Sequence, residues 1–318
     1  MKKLYYFTFF AAFVIIMSMA AFNSSEPATK ESLGEMLFSD PILSGNRKIS
    51  CSSCHKAEFA FADTIAISPG VSGRTGTRNA PSVMNSALQA SFFWDGRAST
   101  LEEQALLPVA NPVEMNLPIA LAIKRLNRDK KYRKAFYRVF NQYPNATNLA
   151  LALAAFERTL ETNNSPFDDW RLTDNENAVS TSVKRGFLLF NGKARCFQCH
   201  FGPDFNNSEF RNIGLFDGKL LTDSGRAVLT KKKTDLGKFK IGPLRNIALT
   251  APYMHNGRFK TLREVIDYYN DPDKVVPHSI GRDPLLSTPI NLSEQEKEDI
   301  EEFLKSLTDK RFIKDLSS

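Results

Sequence analysis

Cys51-Ser52-Ser53-Cys54-His55 and Cys196-Phe197-Gln198-Cys199-His200 together use every cysteine of the 318-residue chain. In each stretch two thiols stand three positions apart and an imidazole follows at once. This is the pattern of c-type haem attachment, in which the thiols add across the vinyl groups of one haem and the histidine ligates its iron. Paired C-x-x-C zinc knuckles bring their halves within about 15–20 residues, whereas 142 positions separate Cys54 from Cys196. A redox dithiol needs neither the histidine nor a second copy. The sequence predicts two covalently bound haem c groups, one held by Cys51, Cys54 and His55, the other by Cys196, Cys199 and His200.

The length leaves room for about two domains, and 42% hydrophobic residues suffice for two cores. No cysteine remains for a structural disulfide. The formal charge of +7 becomes +5 once Lys2 and Lys3 are set aside with the leader. The basic residues form no cluster of the kind that binds nucleic acid, and the mild bias favours at most an acidic electron-donor protein. Residues 1–20 read as a secretory signal: Lys2-Lys3, an uncharged run from Tyr5 to Phe22, and small residues around Ser18-Met19-Ala20. An uncleaved anchor is the alternative, because 18 uncharged residues approach spanning length. Either way the expected location is the periplasm, with membrane attachment only if the segment is retained.

Apolar spacing predicts helices at Lys30–Phe38, Ala98–Leu107, Leu117–Val139, Leu149–Glu161, Ser180–Phe190, Thr261–Tyr269 and Ser293–Leu307. The Ser-, Gly- and Thr-rich stretch Ser68–Thr77 reads as loop, and Asn163–Asp174 as the seam between halves. No alternating strand run is evident. The fold class is mainly α: two cytochrome c-like haem domains, at 30–165 and 175–318, related by internal duplication.

The duplication is visible beyond the haem motifs. Arg78-Asn79 precedes Trp94-Asp95-Gly96-Arg97 and Thr100-Leu101; Arg245-Asn246 precedes His255-Asn256-Gly257-Arg258 and Thr261-Leu262. Laid without gaps, this register sets Pro108 on Tyr269. A tyrosine can offer a phenolic oxygen to iron, whereas a proline has no ligating atom. The first haem is therefore expected to be open to a small molecule and the second closed by a sixth ligand. Met254, 54 residues after His200, competes with Tyr269 for that place. Tyr268 is the neighbour of Tyr269, but adjacent helical residues point about 100° apart, so both cannot face one iron.

Further stretches carry a family resemblance: Arg78-Asn79-Ala80-Pro81-Ser82, Phe93-Trp94-Asp95-Gly96-Arg97, Asn111-Pro112-Val113-Glu114-Met115, Phe156-Glu157-Arg158-Thr159 and Ala251-Pro252-Tyr253-Met254-His255-Asn256-Gly257. The chain resembles the bacterial di-haem cytochrome c peroxidases, and within them the MauG-like branch. The resemblance implies that the first haem is peroxidatic, that Glu114 is its distal carboxylate and Gln104 the accompanying amide, and that Trp94 lies between the haems and passes electrons. It also implies Tyr269 as the sixth ligand of the second haem, and a calcium ion (Ca2+) between the domains held by Asn79, Thr250 and Pro252. Oxygen-only ligation suits that hard cation. One departure stands out. Members of the main branch carry a histidine after the first haem motif that blocks the peroxidatic iron, and this chain has none between His55 and Trp94. Of the other two histidines, His255 sits in a family motif and His278 in a Pro/Asp-rich loop.

The expected activity is reduction of hydrogen peroxide to water with electrons from a small redox protein, a cytochrome c or a cupredoxin. The alternatives are a MauG-like oxidase acting on a protein substrate and a plain di-haem electron carrier. Glu114, Gln104 and Pro108 speak against the carrier, which has no use for an open iron beneath an acid. A homodimer is compatible with the sequence.

Overall fold

The computed structural model describes residues 27–313, so the leader read at 1–20 lies outside the described residues. Within them helices carry the architecture, and no helix is long and apolar enough to cross a membrane. The strand pairing among them is two residues long, β1 (Phe210–Arg211) antiparallel to β2 (Phe239–Lys240).

In the first half, α1 (Lys30–Ser39) starts where the Thr29 hydroxyl accepts the Ser32 N–H at 3.2 Å. α2 (Leu101–Ala110) is capped by Thr100, with Glu102 and Glu103 in its first turn, where the helix dipole favours them. α3 (Ile119–Arg128) and α4 (Lys130–Phe140) occupy the stretch expected as one helix over Leu117–Val139. The break is Asp129, whose carboxylate accepts the N–H groups of Lys131 at 2.9 Å and Tyr132 at 3.2 Å and so caps a new helix. Periodicity missed it because apolar spacing runs on across the cap. α5 (Ala146–Arg158) packs on α1, and Leu33, Leu37, Phe38, Leu149 and Leu153 form the centre of the first core.

The second half repeats this plan with α7 (Thr181–Asn191) before its haem motif and α10 (Glu294–Lys305) packed against it. α9 (Leu262–Asn270) corresponds to α2, and a short α8 (Ala227–Thr230) lies in the long intervening loop. The expected seam at 163–174 instead contains α6 (Pro166–Leu172). Pro166 stands at its first turn, where a missing N–H costs nothing. Phe167 and Trp170 are buried in the second core against Phe187 and Phe303, so this stretch packs with the second half.

Equivalent backbone devices recur 161 positions apart. Phe92 bridges Ala98 and Tyr253 bridges Phe259, each pair closing a turn in which Gly96 or Gly257 takes a positive φ, 72° and 62°. Thr100 caps α2 as Thr261 caps α9, each accepting an N–H at 3.1 Å. Asn246 departs from the expected pairing with Asn79. It shares its left-handed backbone, and its place ahead of a three-residue turn, with Asn85. The halves are fastened by Arg78, whose guanidinium donates twice to Asp223 (2.7 and 2.8 Å) and once to Asp95 (2.7 Å).

Candidate haem sites

Each C-x-x-C-H motif folds as one tight turn, with the His55 N–H on the Cys51 carbonyl and the His200 N–H on the Cys196 carbonyl, both at 2.9 Å. The turn aims two thiols and an imidazole into one cavity. The first cavity measures about 600 Å³ and the second about 260 Å³. The residues present fit haem c. His55 Nδ1 lies 3.1 Å from the Phe61 carbonyl and His200 Nδ1 lies 3.0 Å from the Phe205 carbonyl. With Nδ1–H donating there, Nε2 is the nitrogen left to ligate iron. All four cysteines are unpaired and line the cavities, ready to form thioethers.

One face of α2 lines the first cavity with Leu101, Gln104, Ala105 and Pro108, spaced to share one side of the helix. Glu114 follows in the turn after α2. Asn111 Nδ2 donates to Glu114 Oε1 at 2.7 Å and orients the carboxyl. Burial pushes the Glu114 carboxyl above its ordinary value, opposed by the Asn111 hydrogen bond and by Arg97. The histidine-free loop folds against this acid. Val71 N–H donates to the Glu114 carbonyl at 2.7 Å, and a Cβ on Gly70 would stand 2.2 Å from the Val113 carbonyl, so only glycine allows the approach. Ser68, Pro69, Gly70, Thr75, Gly76 and Thr77 are what this loop presents to the cavity.

The matching face of α9 lines the second cavity with Leu262, Val265, Ile266 and Tyr269. At the shift of 161, Val265 stands for Gln104, Tyr269 for Pro108 and Val275 for Glu114. In the second cavity Val265 thus takes the place of Gln104 and the Tyr269 phenol that of the inert proline, while Val275 is exposed and lies outside that cavity's lining. Tyr268 points elsewhere, its hydroxyl donating to the Ile213 carbonyl at 2.6 Å. Met254 lines the second cavity too. Burial raises the Tyr269 phenol above its ordinary range.

Trp94 borders both cavities. Its indole N–H donates to the Asn79 carbonyl at 2.9 Å, and its ring meets His255 edge-on at 6.4 Å. His255 in turn stacks on Phe239 at 3.6 Å, and burial pushes its imidazole down to about 4, which leaves it neutral. It lies against the second cavity, while His278 is exposed. Asn79, Thr250 and Pro252 all line the second cavity. The Asn79 amide nitrogen donates to the Ile65 and Ala66 carbonyls, both at 3.2 Å, which leaves its oxygen for a cation. A calcium site there would combine that oxygen with backbone carbonyls. Among the described residues no group of three His, Cys, Asp or Glu side chains gathers for a metal.

Residues 28–177 match the di-haem cytochrome c peroxidase family. The methylamine utilization protein MauG of Methylorubrum extorquens is 36% identical over 292 residues, covering 89% of this chain and 80% of that protein. The chain belongs to the di-haem cytochrome c peroxidase family. Cytochrome c551 peroxidase of Nitrosomonas europaea is 39% identical over 245 residues, 76% of this chain and 73% of that protein. The crystal structure of a MauG-like protein associated with microbial copper homeostasis superposes with a TM-score of 0.81 at 33% identity, covering 92% and 93% of the two chains. As a member of this di-haem peroxidase family the chain is an oxidoreductase that carries haem c.

Glu157 is a site group that the sequence reading quoted within a motif but gave no role. It lines the first cavity, is 5% exposed, and its Oε2 has no hydrogen-bond partner. Burial pushes its carboxyl up to about 8. The available signal was its register on α5, where it continues the buried row Leu149, Leu153 at four-residue steps. A carboxyl raised in the fold keeps its proton while the unfolded chain has lost it, so stability falls as pH rises from about 4.5 to about 8 and is flat above. Glu157→Gln is expected to remove that fall, gaining on the parent by on the order of 4 kcal/mol between pH 5 and 8. Urea midpoints at the two pH values check this; parallel pH dependence of parent and variant would contradict it.

Proposed function

We propose that the chain reduces hydrogen peroxide to water at the first haem, with electrons delivered through the second by a small cytochrome c or cupredoxin in the periplasm. The observation that carries this is the asymmetry of the two distal faces. Gln104, Pro108 and Glu114 line the first cavity, whereas Val265 and Tyr269 take the places of Gln104 and Pro108 in the second.

The haem iron, when bound, supplies the electrons to the O–O bond; this chain's residues manage the protons. Overall, peroxide takes two electrons and two protons and gives two waters. Glu114 can accept a proton from the near oxygen of peroxide and return it to the far one, which makes water the leaving group. Burial raises its carboxyl, the direction that brings a carboxylic acid–base group closer to neutral pH. Asn111 holds the carboxyl in place, and Gln104 offers an amide to orient peroxide. Trp94, bordering both cavities, is the route between the haems. Tyr269 is proposed as sixth ligand to the second iron, and Asn79, Thr250 and Pro252 as the calcium ligands.

Tyr269 also favours a second reading, a MauG-like oxidation of a protein substrate, because a phenolate ligand favours ferric iron and would ease withdrawal of electrons from outside. Steady-state peroxide consumption with reduced cytochrome c or a reduced cupredoxin decides between them. Turnover dependent on the added donor is expected. Peroxide-driven oxidation of a protein substrate, with no turnover of either donor, would overturn the peroxidase reading.

A further inference from the structure

A lysine at the junction of the two cavities has no acid to pair with. Lys240, the last residue of β2, borders both cavities. Its backbone N–H donates to the Trp94 carbonyl at 2.7 Å, which fixes it beside the residue that spans the haems. Its ammonium donates to the Gln89 side-chain oxygen and, at 2.8 Å, to the Ser91 carbonyl, and it lies 5.8 Å from the Phe92 ring. All of these partners are neutral. Desolvation alone pushes the ammonium down to about 8, so a positive charge here is unfavourable as it stands.

The other cations lining the cavities narrow the choice. Arg78 holds Asp95 and Asp223, Arg97 holds Asp95, Arg211 holds Asp283, and Arg245 holds Asp168. Arg195 donates to the backbone and hydroxyl of Thr288 and borders the second cavity alone. Lys240 thus combines a place at both cavities with the lack of a carboxylate partner. A partly buried charge held only by neutral groups is stabilised when an anion completes the site. Each haem brings two propionate carboxylates into its cavity, and these are the anions due at this junction.

We infer that the Lys240 ammonium pairs with a haem propionate at the junction of the two cavities and sets the reduction potential of that haem. The inference rests on the presence of two haems and is independent of whether peroxide is the substrate. A cation at the propionate partly offsets its negative charge. Removing the cation leaves that charge to stabilise ferric iron, which is the more positive state, so the potential falls.

The test uses the haem-loaded protein with Lys240→Met and Lys240→Arg. Covalent haem content is measured first, then the midpoint potential of each haem by spectroelectrochemical titration and the propionate bending modes by resonance Raman. Lys240→Met is expected to carry both haems and to shift the ferric–ferrous equilibrium of at least one of them about tenfold toward ferric, about 59 mV for one electron. The propionate band of that haem should move with it. Lys240→Arg, which keeps the charge, should stay within about twofold of the parent. Should Lys240→Met fail to carry both haems, Lys240→Gln removes the charge, keeps a donor and is read in the same way. Potentials within about twofold of the parent at both haems, with unmoved propionate bands, would overturn the inference. Equilibrium potentials do not depend on peroxide, so failure of the peroxidase reading would leave this result standing.

Discussion

Glu114→Gln is expected to keep both haems and the fold while losing about 10²–10⁴-fold in peroxide turnover, the usual contribution of a positioned acid–base group. In barrier height this is about 2.7–5.4 kcal/mol. The substitution is close to isosteric and spares the Asn111 contact, because an amide oxygen can still accept the hydrogen bond now made at 2.7 Å. What it removes is a proton that can be both taken up and given back. Two readouts separate this from a packing defect. The limb of the pH–rate profile that reports the Glu114 carboxyl should vanish, and cyanide should still bind the first haem. Turnover within a factor of about two of the parent would show that the proton travels by another route. Glu157, buried in the same cavity, is then the group to examine.

Tyr269→Phe carries the second large effect. With the phenolic oxygen gone, the second iron loses its proposed sixth ligand and should bind cyanide, with the apparent affinity of that haem rising at least about tenfold as the competing closed state disappears. Its ferric spectrum should change in step. Met254→Leu should leave both properties alone. The competition is real in the structure, since Met254 and Tyr269 both border the second cavity. A methionine-to-iron charge-transfer band that is lost in Met254→Leu and kept in Tyr269→Phe would assign the ligand to Met254 instead.

The parts of the molecule that were legible in the sequence are those fixed by local chemistry. The two C-x-x-C-H motifs were legible from spacing, and each folds as a turn facing its own cavity. Of the two adjacent tyrosines, Tyr269 lines the second cavity while the Tyr268 hydroxyl bonds the Ile213 carbonyl. At the same offset of 161 positions the bridges Phe92–Ala98 and Tyr253–Phe259 match. What was missed depends on context. Asp129 reads as one more charge on an amphipathic face until its carboxylate is seen to cap α4. The proline and acids of α6 look like a linker, yet Phe167 and Trp170 beside them belong to the second core. Lys240 carries no local signal, because its significance comes from two cavities that close around it from distant segments. Glu157 was marked by its register on α5, but its missing hydrogen bond is a tertiary fact.

The central claim is that one haem is open and the other closed in the oxidised protein. It is tested most directly by titrating the as-isolated, unreduced protein with cyanide, following the Soret band and the ferric electron paramagnetic resonance signals of both haems. One cyanide per chain is predicted, taken up without pre-reduction, at the haem held by Cys51, Cys54 and His55. An oxidised protein that is entirely low-spin and resists cyanide at both haems would contradict the claim.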